Sequence, residues 1–299
     1  MKSNKYMEWE KQKKEFLSRK KTLYSFPEQY RIEPFRIIAN LYFVGNQDAA
    51  VYLLDTEEGI LLFDTGYPVT TGLLIYSITK LGFKIENIRK ILHTHGHFDH
   101  IGATAILREL SGAVTYLGIR DINMFYDKPE LSLKELAGNP YFQLFVPDEA
   151  VLDGDIITLG SSTISAVATP GHSDGTMSYF FDVYENGEKY RCGLMGGSGL
   201  NTLSKAFIDV FERKHARAEF LDSLNRIYEK PVDINLGNHT PQNRTLEKRS
   251  KMLSIQKSDP NPKSIAACNP FIDSSEWKRF LDQVREQYDR MLQYERKNR

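Results

Sequence analysis

The chain has 299 residues, 41% of them hydrophobic and 12% aromatic, enough to bury a large core. Lysine plus arginine and aspartate plus glutamate stand at 39 each, so the charge balance implies no general affinity for nucleic acid or another polyanion. Two lone cysteines, Cys192 and Cys268, exclude a disulfide framework and a cysteine-based metal site.

Residues 2–21 carry eight basic and three acidic side chains and no apolar run of the signal-peptide kind. A solvated helix without membrane contact is expected there, and a cytoplasmic location with it. Pro27 and Pro34 separate this arm from the first strand. Strands are predicted at Ile37–Val44, Ala50–Asp55 and Gly59–Asp64, then a helix near Thr70–Leu81 and a buried strand over Ile88–Leu92. Ile101–Leu110 has helical spacing and good helix formers. Residues 123–149 hold Phe125, Tyr126, Tyr141, Phe142 and Phe145 with three prolines, either a lid or a loop packed onto its own domain, and are expected to set specificity.

Further strands are predicted at Ile156–Leu159, Thr163–Ala168, Met177–Tyr184 and Lys189–Met195, with a turn at Glu185-Asn186-Gly187. A helix near Ala216–Tyr228 and a short strand over Val232–Leu236 follow. Asp273-Ser274-Ser275-Glu276 has the form of a capping box. Trp277, Phe280, Leu281, Val284, Tyr288 and Leu292 then recur at helical spacing, so that helix lies on the domain or on a second subunit.

The densest chemistry is Thr94-His95-Gly96-His97-Phe98-Asp99-His100. The chain has seven histidines, and four of them (His93, His95, His97, His100) fall within eight residues. Neutral imidazole and carboxylate are the ligands a borderline-soft ion such as Zn²⁺ takes. The segment sits in a strand-to-helix loop, where α/β proteins place ligand chemistry. Its layout aims His95 and His97 at one point and Asp99 and His100 at another, which suits two metals about 3.5–4 Å apart. His172 and His239 each follow a strand and Asp64 closes one; any one of these is a weak signal, and together they fit a distributed site. His215, in Arg213-Lys214-His215-Ala216-Arg217, lies outside the pattern and is expected in solvent.

Asp64-Thr65-Gly66, Thr94 to His100, Gly171-His172-Ser173 and a late histidine, in that order, resemble the metallo-β-lactamase superfamily over about residues 35–243. Many members carry a metal-bridging aspartate after the next strand, and the first two lactamase subclasses carry a cysteine. This chain has Gly196-Gly197-Ser198-Gly199 there, with Cys192 several residues too early. That is the pattern of the third subclass, and Asn40 to Gly45, Leu81-Gly82-Phe83 and Val151 to Asp155 agree with it.

The resemblance implies a four-layer αββα sandwich with N-terminal and C-terminal helical extensions, divided as 1–34, 35–245 and 246–299. It implies two zinc ions per chain, one held by His95, His97 and His172, the other by Asp99, His100 and His239. Asp64 would steady the ligand loop from behind, His93 is outside the ligand set, and Ser198 is a candidate substrate contact. The implied activity is a dinuclear zinc hydrolase in which a metal-bridging hydroxide attacks a carbonyl, with Asp99 as the catalytic carboxylate. No Gly-x-Ser-x-Gly elbow offers a side-chain nucleophile instead. The substrate expected is a β-lactam or a related cyclic amide or ester; a lactone, thioester or other ester is the alternative within hydrolases, and an iron-dependent oxidoreductase of the same fold the alternative class. A small-molecule substrate is the expected partner, with no nucleic acid and no membrane, and the terminal helices offer a surface for homo-oligomer contact.

Overall fold

The computed structural model describes residues 4–259 and 268–297. One sheet orders seven strands along the chain: β1 (Phe35–Ile38), β2 (Leu41–Phe43), β3 (Tyr52–Thr56), β4 (Gly59–Phe63), β5 (Ile88–Leu92), β6 (Val114–Gly118) and β7 (Glu149–Val151). The first four are antiparallel; β4 to β7 run parallel, with α3 (Thr71–Lys80) and α5 (Thr104–Ser111) in the crossovers. The second sheet has the order β12-β11-β10-β9-β8, from β8 (Ile156–Leu159), β9 (Ser162–Ala168), β10 (Met177–Glu185), β11 (Glu188–Leu194) and β12 (Ile234–Leu236). The helices preceding β1 are α1 (Asn4–Arg19) and α2 (Lys21–Ser25); α4 (Phe98–Ile101), α6 (Ile119–Asp127), α7 (Lys205–Phe211), α8 (Ala216–Tyr228), α9 (Thr245–Ser258) and α10 (Glu276–Lys297) complete the set used below.

Alternation along each strand assigns the layers. In β4, Leu61 and Phe63 face the second sheet while Ile60 and Leu62 face α3 and α5. In β10, Tyr179, Phe181 and Val183 face inward and Phe180 faces outward. Phe63 stacks on Phe181 with ring centroids 4.9 Å apart, joining the two inner faces. Leu74, Ile78 and Leu107 cover the first sheet, and Phe220, Leu224, Ile227, Trp277 and Leu281 cover the second. The result is the expected αββα sandwich with helical extensions at both ends. Among the described residues no helix is long and apolar enough to cross a membrane.

Two expectations change. Ile37–Val44 is a hairpin rather than one strand: Ala39 takes a left-handed φ of 46° and its N–H donates to Glu185 Oε2 at 2.6 Å. Both arms are apolar and no glycine or proline marks the bend, so the pattern runs on through it. The basic N-terminal helix is also docked rather than solvated. Trp9 is buried against Phe207 and Phe211 at centroid distances of 5.0 and 5.8 Å, and Phe16 meets Phe98 at 6.2 Å. Lys11, Lys14 and Glu15 stay exposed, and at this length three apolar contacts outweigh the polar average.

At the C-terminal end α10 packs on α8 of the same domain. Trp277 is fully covered, donates Nε1–H to the Ile227 carbonyl at 2.9 Å and meets Phe180 edge-on at 5.6 Å. Trp277→Ala is expected to cost about 3–5 kcal/mol of folding stability, the usual scale for emptying an aromatic site. A lowered urea midpoint with an unchanged slope is the readout.

Candidate metal centre

Asp64 ends β4 in the left-handed region, at φ 61°, a conformation aspartate tolerates better than most residues. The turn aims its carboxylate across to the loop after β5. Oδ1 accepts the Thr94 N–H at 2.7 Å; Oδ2 accepts the Thr94 hydroxyl at 2.8 Å and lies 2.8 Å from His100 Nδ1. The neighbouring backbone closes the same seam, Thr65 N–H to His100 O and Gly102 N–H to Gly66 O, each at 2.8 Å. A Cβ on Gly102 would fall 2.2 Å from the nitrogen of Pro68, so only glycine permits this approach.

On that support the loop brings the predicted residues together. His97 Nδ1 faces His172 Nε2 at 3.1 Å, and His100 Nε2 faces His239 Nε2 at 3.2 Å. Asp99 Oδ2 lies 3.5 Å from His239 Nε2 and 3.8 Å from His100 Nε2. His95, His97 and His172 each offer a nitrogen within 4.8 Å of the others; the same holds for His95, Asp99 and His100, so His95 stands between two groups of donors. His172 is oriented by its Nδ1, 2.7 Å from the Gly199 carbonyl, which leaves Nε2 directed inward. Gly197 lies against this ring, where a Cβ would come within 2.6 Å of it.

These donors fit a divalent cation. His95 Nε2 is buried without a protein partner, and burial with the neighbouring imidazoles holds the His95 and His97 pKa values well below the ordinary 6.5. Burial pushes His172 down to about 3 and His93 to about 4. Neutral rings with free lone pairs are the metal-ready form. His100 goes the other way: burial disfavours its charge, but Asp99 and Asp64 together raise its pKa.

His93 is buried outside the ligand groups, its Nε2 3.1 Å from Thr104 Oγ1 and its ring 5.1 Å from that of Phe145. His215 is exposed, 3.2 Å from Asp174. Ser198 lines a cavity of about 540 Å³ beside His97, Asp99, His172 and His239. From residues 123–149 the cavity receives Leu133 and Leu136; Phe125 and Phe145 pack inward against each other, and Tyr126 and Tyr141 are exposed. The aromatic wall comes instead from Phe16, Tyr30, Tyr67 and Phe98.

Three supports escaped the sequence reading. Asp121, wholly buried in α6, accepts the Gly96 N–H (2.7 Å), the Gly175 N–H (2.6 Å) and the Ser173 hydroxyl (2.7 Å), tying the His95–His97 loop to the His172 loop. Arg213, in the basic segment around His215, is 3% exposed and donates to the Gly171 carbonyl at 2.9 Å and to Asp174 at 2.7 Å. Asp48 lies 3.8 Å from His239 Nδ1 and is held ionised, below the usual carboxylate range, because His239 and Lys20 outweigh its burial. None belongs to a strand-end motif, and an aspartate inside a helix pattern carries no signal of burial.

Residues 44–184 match the family described as the metallo-beta-lactamase superfamily. The fold is similar to that of BJP-1, a subclass B3 metallo-beta-lactamase of Bradyrhizobium japonicum, at 30% identity and TM-score 0.75, over 89% of this chain and 95% of that one. It is also similar to the FEZ-1 metallo-beta-lactamase from Legionella gormanii, at 25% identity and TM-score 0.76, over 89% and 97%. Among curated sequences, a hydroxyacylglutathione hydrolase of Rhizobium johnstonii is 30% identical over 139 residues, 44% of this chain and 46% of that one. The chain thus spans about half the length of that relative.

The depressed histidine pKa values give a pH dependence with a definite sign. Between 6.5 and the lowered values, the folded metal-free chain binds fewer protons than the unfolded chain, so its stability falls as pH drops through that window. His100 opposes this alone against four. Metal-free protein is therefore expected to unfold at lower urea concentration at pH 5 than at pH 7; equal midpoints would contradict the burial of neutral rings.

Proposed function

The chain belongs to the metallo-β-lactamase superfamily, and from that premise we propose that it is a dinuclear zinc hydrolase acting on a carbonyl, on a β-lactam or a related cyclic amide or ester. The observation that carries this reading is the two pairs of facing nitrogens, His97 with His172 and His100 with His239, with the unpartnered His95 Nε2 between them. One cation would be held by His95, His97 and His172, and the other by Asp99, His100 and His239. Cations so held lower the pKa of water from 15.7 to about 7 and polarise an acyl oxygen.

The chain's own residues supply the remainder. Asp99, at the opening of α4 and facing the cavity, orients the attacking water, accepts its proton and passes it to the leaving nitrogen or oxygen. Ser198 offers a hydroxyl to a substrate polar group, while Phe16, Tyr67, Leu133 and Leu136 cover the apolar part of the substrate and exclude water. Buried Asp64 and Asp121 hold the ligand loop and do not touch substrate.

A thioester is the second reading, favoured by the likeness to the hydroxyacylglutathione hydrolase. The absence of aspartate at Gly197-Ser198, where this reading would place a bridging ligand, weighs against it. Turnover of purified zinc-loaded protein across β-lactams, lactones and thioesters decides between the two. Redox-active iron with oxygen uptake would overturn both.

Elemental analysis is expected to give two zinc per chain in the parent protein, about one in His239→Ala and two in Ser198→Ala. Loss of an equivalent from Ser198→Ala would show that this turn ligates metal. On the best substrate of the panel, Asp99→Asn is expected to lower kcat by about 10²-fold or more, the scale of a lost proton-transfer group. A covalent adduct trapped on any side chain would refute the mechanism.

A further inference from the structure

One ion pair links the N-terminal arm to the His239 side of the candidate metal centre. Lys20 sits between α1 and α2, with Nζ over the rings of Phe16 and Tyr67 at 5.8 and 5.6 Å and ion-paired to Asp48 Oδ2. The same Oδ2 accepts the Tyr67 hydroxyl at 2.5 Å. With that oxygen engaged twice, the other, Oδ1, is left directed at His239 Nδ1, 3.8 Å away. His239 Nε2, on the far side of the ring, faces His100 and Asp99.

The backbone keeps Asp48 and His239 in register. Asn46 Oδ1 accepts the N–H groups of Asp48 and Ala49 at 2.8 and 3.0 Å, shaping the turn. The Ala50 N–H donates to Asn238 O at 3.0 Å, and the Thr240 N–H to Asp48 O at 2.9 Å. Neither the turn nor the His239 segment can shift without breaking these bonds. The remaining freedom is rotation of the Asp48 carboxylate, which Lys20 and Tyr67 remove.

We propose that Lys20 is a positioning residue which, through Asp48, orients His239, so that the N-terminal arm sets the affinity of the second cation site. The inference rests on the two-cation reading given above. A carboxylate behind a ligating imidazole keeps the proton on the distant nitrogen and strengthens the near one as a donor. An exposed lysine–aspartate pair does little, but Asp48 and Lys20 are only 18% and 20% exposed, and a carboxylate so covered loses its orientation when its counter-charge is removed. Lys20 belongs to the N-terminal arm, ahead of residues 44–184 that match the family model.

The test uses full-length protein stripped of metal and titrated with zinc against a chromophoric chelator. The parent protein is expected to bind two equivalents. Lys20→Met and Asp48→Asn are each expected to weaken the second equivalent by about ten- to a hundredfold, the usual effect of removing a group behind a metal ligand, and to leave the first unchanged. Lys20→Arg is expected to restore the second equivalent, and cobalt(II) absorption of the first equivalent to match the parent in all variants. Should Asp48→Asn fail to fold by circular dichroism, Lys20→Met carries the test. Two equivalents of parental affinity in folded Lys20→Met would overturn the clamp and leave the hydrolase reading standing. Equal weakening of both equivalents would also overturn it, as a sign that the arm supports the whole fold. A parent protein that takes one zinc would overturn the two-cation reading and the clamp with it.

Discussion

Asp64 is the anchor on which the rest of the centre depends. A short polar side chain at the end of a buried strand, turned by a left-handed backbone, presents both carboxylate oxygens to the loop that follows the neighbouring strand. Three donors from Thr94 and His100 converge on it in a place closed to water. The loop on the first sheet therefore leaves its strand in one direction, and His95, His97, Asp99 and His100 take their places from it. Charge-assisted hydrogen bonds of this kind are short and directional, which suits a group that must hold several others.

Crowding of imidazole is the second constraint. Five histidines lie with ring centroids 4.2–4.9 Å from one or more of the others, too close for all to carry protons. The fold resolves the conflict by burial, which keeps most rings neutral, and by spending two carboxylates, Asp64 and Asp99, beside the one ring whose charge is favoured. Neutral rings with inward lone pairs repel little and await an electrophile. The electrostatics that would strain a protonated cluster thus favour a divalent cation there.

Much of this was legible in the sequence because strand ends are. His172, His239 and Asp64 each follow a run of apolar residues, and His95 to His100 follow another, so short apolar runs located each loop that brings a donor to the site. The two-sheet order was readable for the same reason. What was hidden depends on packing between distant segments. Asp121 lies inside α6 and Arg213 in the turn between α7 and α8, and only the approach of the site loops makes them buried and bonded. The N-terminal helix looked solvated because its charges outnumber its apolar residues, yet Trp9 and Phe16 were enough to dock it. Residues 123–149 left a lid and a loop packed on its own domain both open, and the buried Phe125–Phe145 pair, with leucines lining the cavity, agrees with the packed loop.

The two sheets divide the site between them. His95, His97, Asp99 and His100 come from the first sheet, whereas His172 and His239 follow strands of the second. His97 and His172 are separated by 75 residues of chain, and His100 and His239 by 139. A cation held by either pair would therefore act as a reversible staple across a long loop, lowering the entropy of the unfolded chain in the manner of a cross-link. Its grip would add to stability in proportion to the logarithm of free metal over the dissociation constant. A chelator, on this view, would act on the sandwich as a mild denaturant, by removing that cross-link.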